Sequence, residues 1–319
     1  MSDGGLTILD GTTLRDIHLR LPNTNGAITG AQLLTIAETQ TSPSFFGLPL
    51  PETLKCNALK RIHIDAVNFP LTELNTAEEA KSKLNDYVIA LADELKDDPI
   101  VISILDGSPL RLFLEDEDDF AMLAENLFTD LDVADTGKIK KNKIRDALVN
   151  MGVELGVPSI SEFPLLEEIL KKHGADGEEE LGQAQFAESL QPVLQELADA
   201  LAEKHVVVIQ NIKVSNGSKL RKLLANEVQL NEVIEKILGV GDEKDERECR
   251  KAIRDFLEKN GPMLALPAVG ANDAIPLLYD QVLAVGDNEK LDGRALVKEI
   301  LGKLADQLEV NPIFHDLEN

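Results

Sequence analysis

The chain has 319 residues, 43% hydrophobic and 28% charged, a globular balance in a length too great for one ordinary core. Aromatic residues make up only 4% and Trp is absent, so Leu, Ile, Val and Ala must build the interior, a mix that favours helices over a β-sandwich. A formal net charge of −25 argues against nucleic acid and anionic membrane surfaces, which are held by Lys and Arg, and suits solubility, basic partners or hard cations.

In chain order, the first marker is ILDGTTLR at Ile8–Arg15. It returns as ILDGSPLR at Ile104–Arg111 and, more loosely, as VSNGSKLR at Val214–Arg221. A second marker follows each copy: LADELKDDPIV from Leu91, LADALAEKHVV from Leu197 and LADQLEVNPIF from Leu304. The two alternate in fixed order, with 80 residues from Gly11 to Leu91, 90 from Gly107 to Leu197 and 87 from Gly217 to Leu304. Such phasing is the signature of a tandem array, here of three units spanning 1–99, 100–204 and 205–319. Shorter echoes lie inside them. FPLLEEIL (Phe163–Leu170) answers IPLLYDQVL (Ile275–Leu283), with LPETL (Leu50–Leu54) as an eroded first copy, and KIRDAL (Lys143–Leu148) answers AIRDFL (Ala252–Leu257).

The second unit is the clearest. Ser108-Pro109 reads as a helix start, with Ser108 as N-cap, Pro109 at the first helical position and Asp106-Gly107 as the turn before it. Thr12 and Ser218 take the same place in the other copies. After the acidic run Glu115–Asp119, Phe120, Leu123, Ala124, Leu127, Phe128 and Leu131 fall on one helical face. A polar, Gly-containing stretch (Asp132–Asn142) interrupts it, and Ile144, Ala147, Leu148 and Met151 resume the spacing. Leu165, Leu166, Ile169 and Leu170 predict a short helix, HGADGEEELGQAQ a break, and Phe186, Leu190, Val193, Leu197 and Leu201 a long helix. Each unit is therefore expected to be helix–loop–helix, linker, helix–loop–helix. IVISIL (Ile100–Leu105) and VVVIQNIKV (Val206–Val214) read as short connecting strands.

Asp132–Lys143 has the length and punctuation of a calcium loop, with Asp132 at position 1, Gly137 at the turn position 6 and Ile139 at the apolar position 8. LDG-S-x-L-R-x-F-x-E-D, then D-F-x(7)-F-x-x-LD and this Gly-Lys-Ile loop, resembles plant EF-hand-family proteins built from paired hands, over about Ile102–Ala202. The resemblance implies a mainly α fold of three tandem EF-hand-like helix–loop–helix pairs with short connecting strands. It also implies calcium as the ligand. The donors it would use are Asp132, the Thr136 hydroxyl and the Lys138 backbone carbonyl in one loop, and Asp176 and Glu178 at positions 3 and 5 of the facing loop 174–185.

The donor chemistry argues against strong binding. Calcium takes six to eight oxygens, with a bidentate Glu at position 12. Here Ala134 removes the position 3 ligand, Lys140 stands at position 9 and Lys143 at position 12. The 174–185 loop begins with Gly174, has Glu179 where Gly is expected and ends on Gln185. The other loops are poorer. The one around Gly26 and Ile28 has Leu21 and Gln32 at its ends. Val67–Glu78 puts Val67, Phe69 and Leu71 at ligand positions, and its Glu78 reads equally well, with Glu79, as the first turn of a helix capped by Thr76. Gly239–Arg250 lacks the Gly and apolar pattern, and Ala284–Ala295 keeps Leu291 with only Asn288 and Asp292 as side-chain donors.

No catalytic motif occurs, and the five histidines have no metal-ligand spacing. Cys56 and Cys249 form no CxxC and read as free thiols of a reducing compartment. MSDGG is no secretory signal and no apolar run nears membrane-spanning length, so the expected location is cytoplasmic or nuclear, without membrane insertion. Two readings stand. One is a non-enzymatic interaction or scaffold protein with largely inactive calcium loops, holding protein partners such as basic or amphipathic helices. The other is a calcium-binding regulatory protein with one or two weak sites.

Overall fold

The computed structural model describes residues 6–22, 27–239, 245–284 and 292–316. It is mainly helical with a few short strands, as the apolar periodicity predicts, and no helix among the described residues is long and apolar enough to cross a membrane. The three sequence repeats distribute over two compact units. One is built on Ile102–Gln210, the second repeat; the other joins Ile8–Val101 to Asn211–Asn319, the first and third repeats.

In the 102–210 unit the helices are Ser108–Glu115, Glu117–Leu131, Lys143–Met151, Leu165–Lys172 and Gln183–Glu203. Asp116 caps the second by accepting the Asp118 and Asp119 N–H groups, so the acidic run is a helix start. The last helix carries the core. Phe186, Leu190, Val193, Leu197 and Leu201 are fully enclosed, and each such burial contributes about 1.5–3 kcal/mol as an upper estimate. Phe186 also meets Phe128 with ring centroids 5.9 Å apart in a tilted arrangement. The strands Ile100–Leu105 and Val206–Ile209 pair antiparallel, from Ile102 opposite Ile209 to Leu105 opposite Val206.

The helix starts differ from expectation in one respect. Ser108 is not the N-cap but the first helical residue, and Pro109 follows it. The cap is Gly107 in the left-handed region (φ 80°), with no side-chain hydrogen bond of its own. Asp106 does the capping instead: its Oδ1 accepts the Ser108 N–H at 2.9 Å. Asp10 treats Thr12 in the same way at 2.9 Å, and Asn216 treats Ser218 at 3.1 Å. A carboxylate or amide one residue before the glycine reaches the orphan N–H, whereas the hydroxyl belongs to the very residue that carries that N–H and so does not cap it.

The glycine is required by what lies over it. A Cβ on Gly107 would stand 2.2 Å from the Ala198 carbonyl oxygen, one on Gly11 2.4 Å from that of Ala92, and one on Gly217 2.6 Å from that of Ala305. These alanines are the middle letters of the LAD marker. Its Asp closes the contact, since Arg111 pairs with Asp199 at 3.0 Å, Arg15 pairs with Asp93 and Arg221 with Asp306. The two sequence markers are thus the two faces of a single packing contact, formed three times.

In the other unit, the third repeat has helices Ser218–Ala225, Glu227–Leu238, Glu246–Asn260, Ala274–Leu283 and Gly293–Val310, and the strand Ile212–Ser215 pairs with Ile313–Asp316. The first repeat has Thr12–Arg15, Gly30–Thr41, Glu52–Arg61 and Ala77–Asp97. It departs from the expected two full hands: the described residues 16–22 and 27 form no helix where the second repeat has Glu117–Leu131. The segment 16–29 is too short to hold both a helix and a loop. Within this unit the first and third repeats are tied by Asp97, only 8% exposed. Its carboxylate takes the Ser218 hydroxyl (2.8 Å), the Arg61 guanidinium (2.5 Å) and the Lys222 ammonium. Burial pushes the Asp97 pKa up, but these donors, Lys222 first, hold it below the ordinary value on balance.

Two predictions follow from these contacts. Gly107→Ala and Gly137→Ala both place a side chain at positive φ, but nothing lies within 4 Å of the second. Gly137→Ala should cost about 1–2 kcal/mol in urea unfolding and Gly107→Ala about 2–5 kcal/mol, because Ala198 must also move; equal losses would contradict the contact. Asp97→Ala leaves Arg61 with Glu94 alone and takes the carboxylate from Ser218 and the half-exposed Lys222, and should cost about 1–3 kcal/mol at pH 7. Because the folded pKa is depressed, that stabilisation is present above the unfolded value and lost as pH falls through the folded one, so wild type and variant should converge on acidification.

Candidate functional site: the facing loops 132–143 and 174–185

The second repeat brings its two interhelical loops together. Ile139 pairs antiparallel with Leu181 and Lys140 with Glu180, and both apolar residues are buried. Lys141 N–H donates to the Glu179 carbonyl and Asn142 N–H to the Gly177 carbonyl, each at 2.9 Å. The first repeat repeats this join, with Ile28 opposite Leu74 and Thr29 opposite Glu73. In both, the paired apolar residues are the ones that counting from the loop starts places at position 8.

The residues singled out by sequence fall into two groups. Asp132 ends the helix Glu117–Leu131 and turns its carboxylate inward on its own loop. Oδ1 accepts the Thr136 N–H at 3.0 Å and Oδ2 the Gly137 N–H at 2.6 Å. The Thr136 hydroxyl lies 2.9 Å from Asp132 Oδ1 and 2.9 Å from the Lys138 carbonyl. The Thr136 N–H, then that of Gly137, holds the Asp132 carboxyl below the ordinary carboxylate range. Asp132, Thr136 and the Lys138 carbonyl are therefore brought together and already joined by hydrogen bonds.

Asp176 and Glu178 face cations. Glu178 accepts from Lys140 Nζ at 2.6 Å and from Asn142 Nδ2 at 2.8 Å, and Asp176 lies 3.6 Å from the Arg145 guanidinium. The neighbouring acids do the same: Lys141 meets Glu179 at 2.8 Å and Lys138 meets Glu180 at 3.2 Å. Arg145 is also bidentate to Glu167, at 2.7 and 2.9 Å. Lys143, at position 12, pairs with Asp146 in its own helix. Lys140 holds the Glu178 carboxyl below its usual value, and Glu178 raises Lys140 in return. Sequence reading missed this interlock, although its signal is plain in hindsight. KIKKNK and DGEEE flank Ile139 and Leu181 with opposite charges, so pairing the two apolar residues brings the lysines of one loop beside the glutamates of the other, Lys141 directly opposite Glu179 and Lys138 and Lys140 diagonal to Glu180 and Glu178.

Most of these groups are more than half exposed, so solvent screens the pairs and they add little to stability. Their main effect is on charge: the acidic loop is matched by the lysines opposite. Among the described residues no group of three or more His, Cys, Asp or Glu side chains is placed to hold a metal ion. As calcium sites, loop 132–143 has Lys140 and Lys143 where oxygen donors are required, and loop 174–185 has Gly174 at position 1 and at position 12 Gln185, whose Oε1 accepts the Gly182 N–H, so the residues do not fit the ion.

The remaining loops show other uses for their candidate donors. Thr76 accepts the Glu79 N–H at 3.1 Å, so Glu78 and Glu79 lie in a capped first turn. Gln32 belongs to a capping box with Thr29. Asp292 caps Gly293–Val310 through the Ala295 N–H at 2.7 Å. Gly26, residues 240–244 of the Gly239–Arg250 loop, and Asn288 and Leu291 of the Ala284–Ala295 loop lie outside the described residues.

Followed by carboxyl-carbon NMR, Asp132 should titrate below 3.8, the ordinary value. A depressed carboxyl stabilises the fold above its unfolded pKa and stops doing so as pH falls through the folded value. The 132–137 turn should therefore hold at pH 5 and loosen only in stronger acid; titration at or above 3.8 would contradict the hydrogen bonds described. No family model matches this chain, and no significant match exists to a curated protein or to a solved structure.

Proposed function

We propose that this chain is a non-enzymatic interaction or scaffold protein, built from EF-hand-like helix–loop–helix pairs, whose best-preserved loop pair is held by its own lysines in place of calcium. The observation that carries the reading is the set of ion pairs Lys138–Glu180, Lys140–Glu178 and Lys141–Glu179 across the two loops. In a calcium loop, carboxylates gather because a divalent ion offsets their repulsion. Here three ammonium groups supply that offset from within the chain, so the loops keep their geometry without a ligand. The position 8 pairings Ile139–Leu181 and Ile28–Leu74 support the comparison with paired hands.

A protein with this design holds its partners at all calcium levels. Titration calorimetry of the metal-free chain should show no calcium binding tighter than about 10 µM, the range of sensor sites. Capture of any partner should be equal in calcium and in chelator. Binding within that range would favour the regulatory alternative and overturn this reading.

A further inference from the structure

Within the unit that joins Ile8–Val101 to Asn211–Asn319 lies a cavity of about 310 Å³, at the low end of the range of small-molecule sites. It opens between the strands Ile212–Ser215 and Ile313–Asp316, the start of the helix Ser218–Ala225 and the turn that follows Pro262. Leu220, Leu264, Leu266, Pro267 and Leu308 give it apolar walls. Lys213, Lys219 and His315 line it as well, in a chain whose formal net charge is −25.

These three positions are basic in the third repeat alone. Counted from the glycine that starts each repeat, Lys213 stands where the first and second have Thr7 and Ser103, and Lys219 where they have Thr13 and Pro109. Counted from the leucine of the LAD marker, His315 stands where they have Ile102 and Val208. The strand register agrees, since Lys213 lies opposite His315 as Ser103 lies opposite Val208. In the second repeat Pro109 stands against the turn at Gly156, where an added Cβ would meet the Pro109 Cβ at 3.2 Å. The third repeat has Lys219 in place of that proline, beside the corresponding turn at Ala265.

Three acids also line the cavity, and two of them are engaged. Asp97 accepts from Arg61, Lys222 and Ser218, and Asp98 lies 3.9 Å from Lys219. Asp316 follows His315 on its strand, where successive side chains turn to opposite faces. Lys213 and His315 share a face, and neither side chain has a hydrogen-bond or ion-pair partner among the described residues. An ammonium offers three donors and no acceptor, and an imidazole at least one N–H, so the pair is furnished for an acceptor that the chain itself does not supply.

We propose that this cavity binds a small amphipathic anion, whose carboxylate or phosphate accepts from Lys213 and His315 while its apolar body lies along Leu220, Leu264, Leu266 and Pro267. The site is separate from the loops of the second repeat, so it stands or falls independently of the calcium-free reading.

The test uses the full chain and titration calorimetry with three probes that share one eight-carbon chain: octanoate, neutral 1-octanol and octylammonium. Octanoate should bind with a Kd of about 100 µM and the other two at least tenfold more weakly. Exchanging the three basic residues for those of the second repeat, K213S/K219P/H315V, should weaken octanoate at least tenfold with the helix signal in circular dichroism intact. Lys213→Gln should weaken it several-fold and keeps the proposal decidable if the triple variant fails to fold. Lys298→Gln removes an exposed cation outside the cavity and should change nothing, which separates the site from general attraction of an anion to lysines. Asp316→Asn should tighten octanoate or leave it unchanged; weakening there would mark the ligand as a cation and overturn the proposal. Octanoate binding weaker than about 1 mM, equal binding of either other probe, unchanged affinity in Lys213→Gln or a folded triple variant, or an equal loss in Lys298→Gln overturns it too.

Discussion

The fold depends on one close approach of backbone to backbone. At the start of each repeat a glycine at positive φ lies against the carbonyl of an alanine near the end of the same repeat, and an Arg–Asp pair closes the contact beside it. Only glycine fits, because any Cβ would overlap the alanine oxygen. The contact brings the first and last helices of a repeat together, which lets a short helical pair bury its apolar faces. The Arg–Asp pairs are half exposed and contribute little alone; they orient a contact whose energy lies in the enclosed Leu, Ile and Val residues around it.

With the ends joined, the interior loops meet. In the second repeat, Ile139 and Leu181 supply the apolar join, and register then places lysines opposite glutamates. Position 12, where calcium chemistry needs a bidentate acid, holds Lys143, which turns to Asp146 instead. The loop pair is thus a charge-matched clasp.

Much of this was legible in the sequence. The helices of the second repeat follow from apolar spacing, because a buried stripe such as Phe186–Leu201 forces a 3.6-residue period. The two markers were visible, but not that they touch, since contact between residues some ninety apart is set by packing and leaves no local trace. The cap was assigned to Ser108 because hydroxyls are good caps; the Gly107 conformation gives that role to Asp106. Another repeated turn escaped notice: Gly156, Ala265 and Phe46 each adopt positive φ after a short 3-10 segment. Three different residues at one strained position leave no shared letter to find. Grouping of the first and third repeats through Asp97 was equally hidden, for one of two adjacent Asp residues at a charged helix end looks like solvent-facing surface.

Unfolding of the chain in 1 mM calcium and in chelator tests the central claim, that the protein's own cations hold its loops. A site with a Kd near 10 µM would add about 2.7 kcal/mol at that concentration and raise Tm by several degrees. The account predicts the same Tm in both solutions; a clear rise in calcium would contradict it.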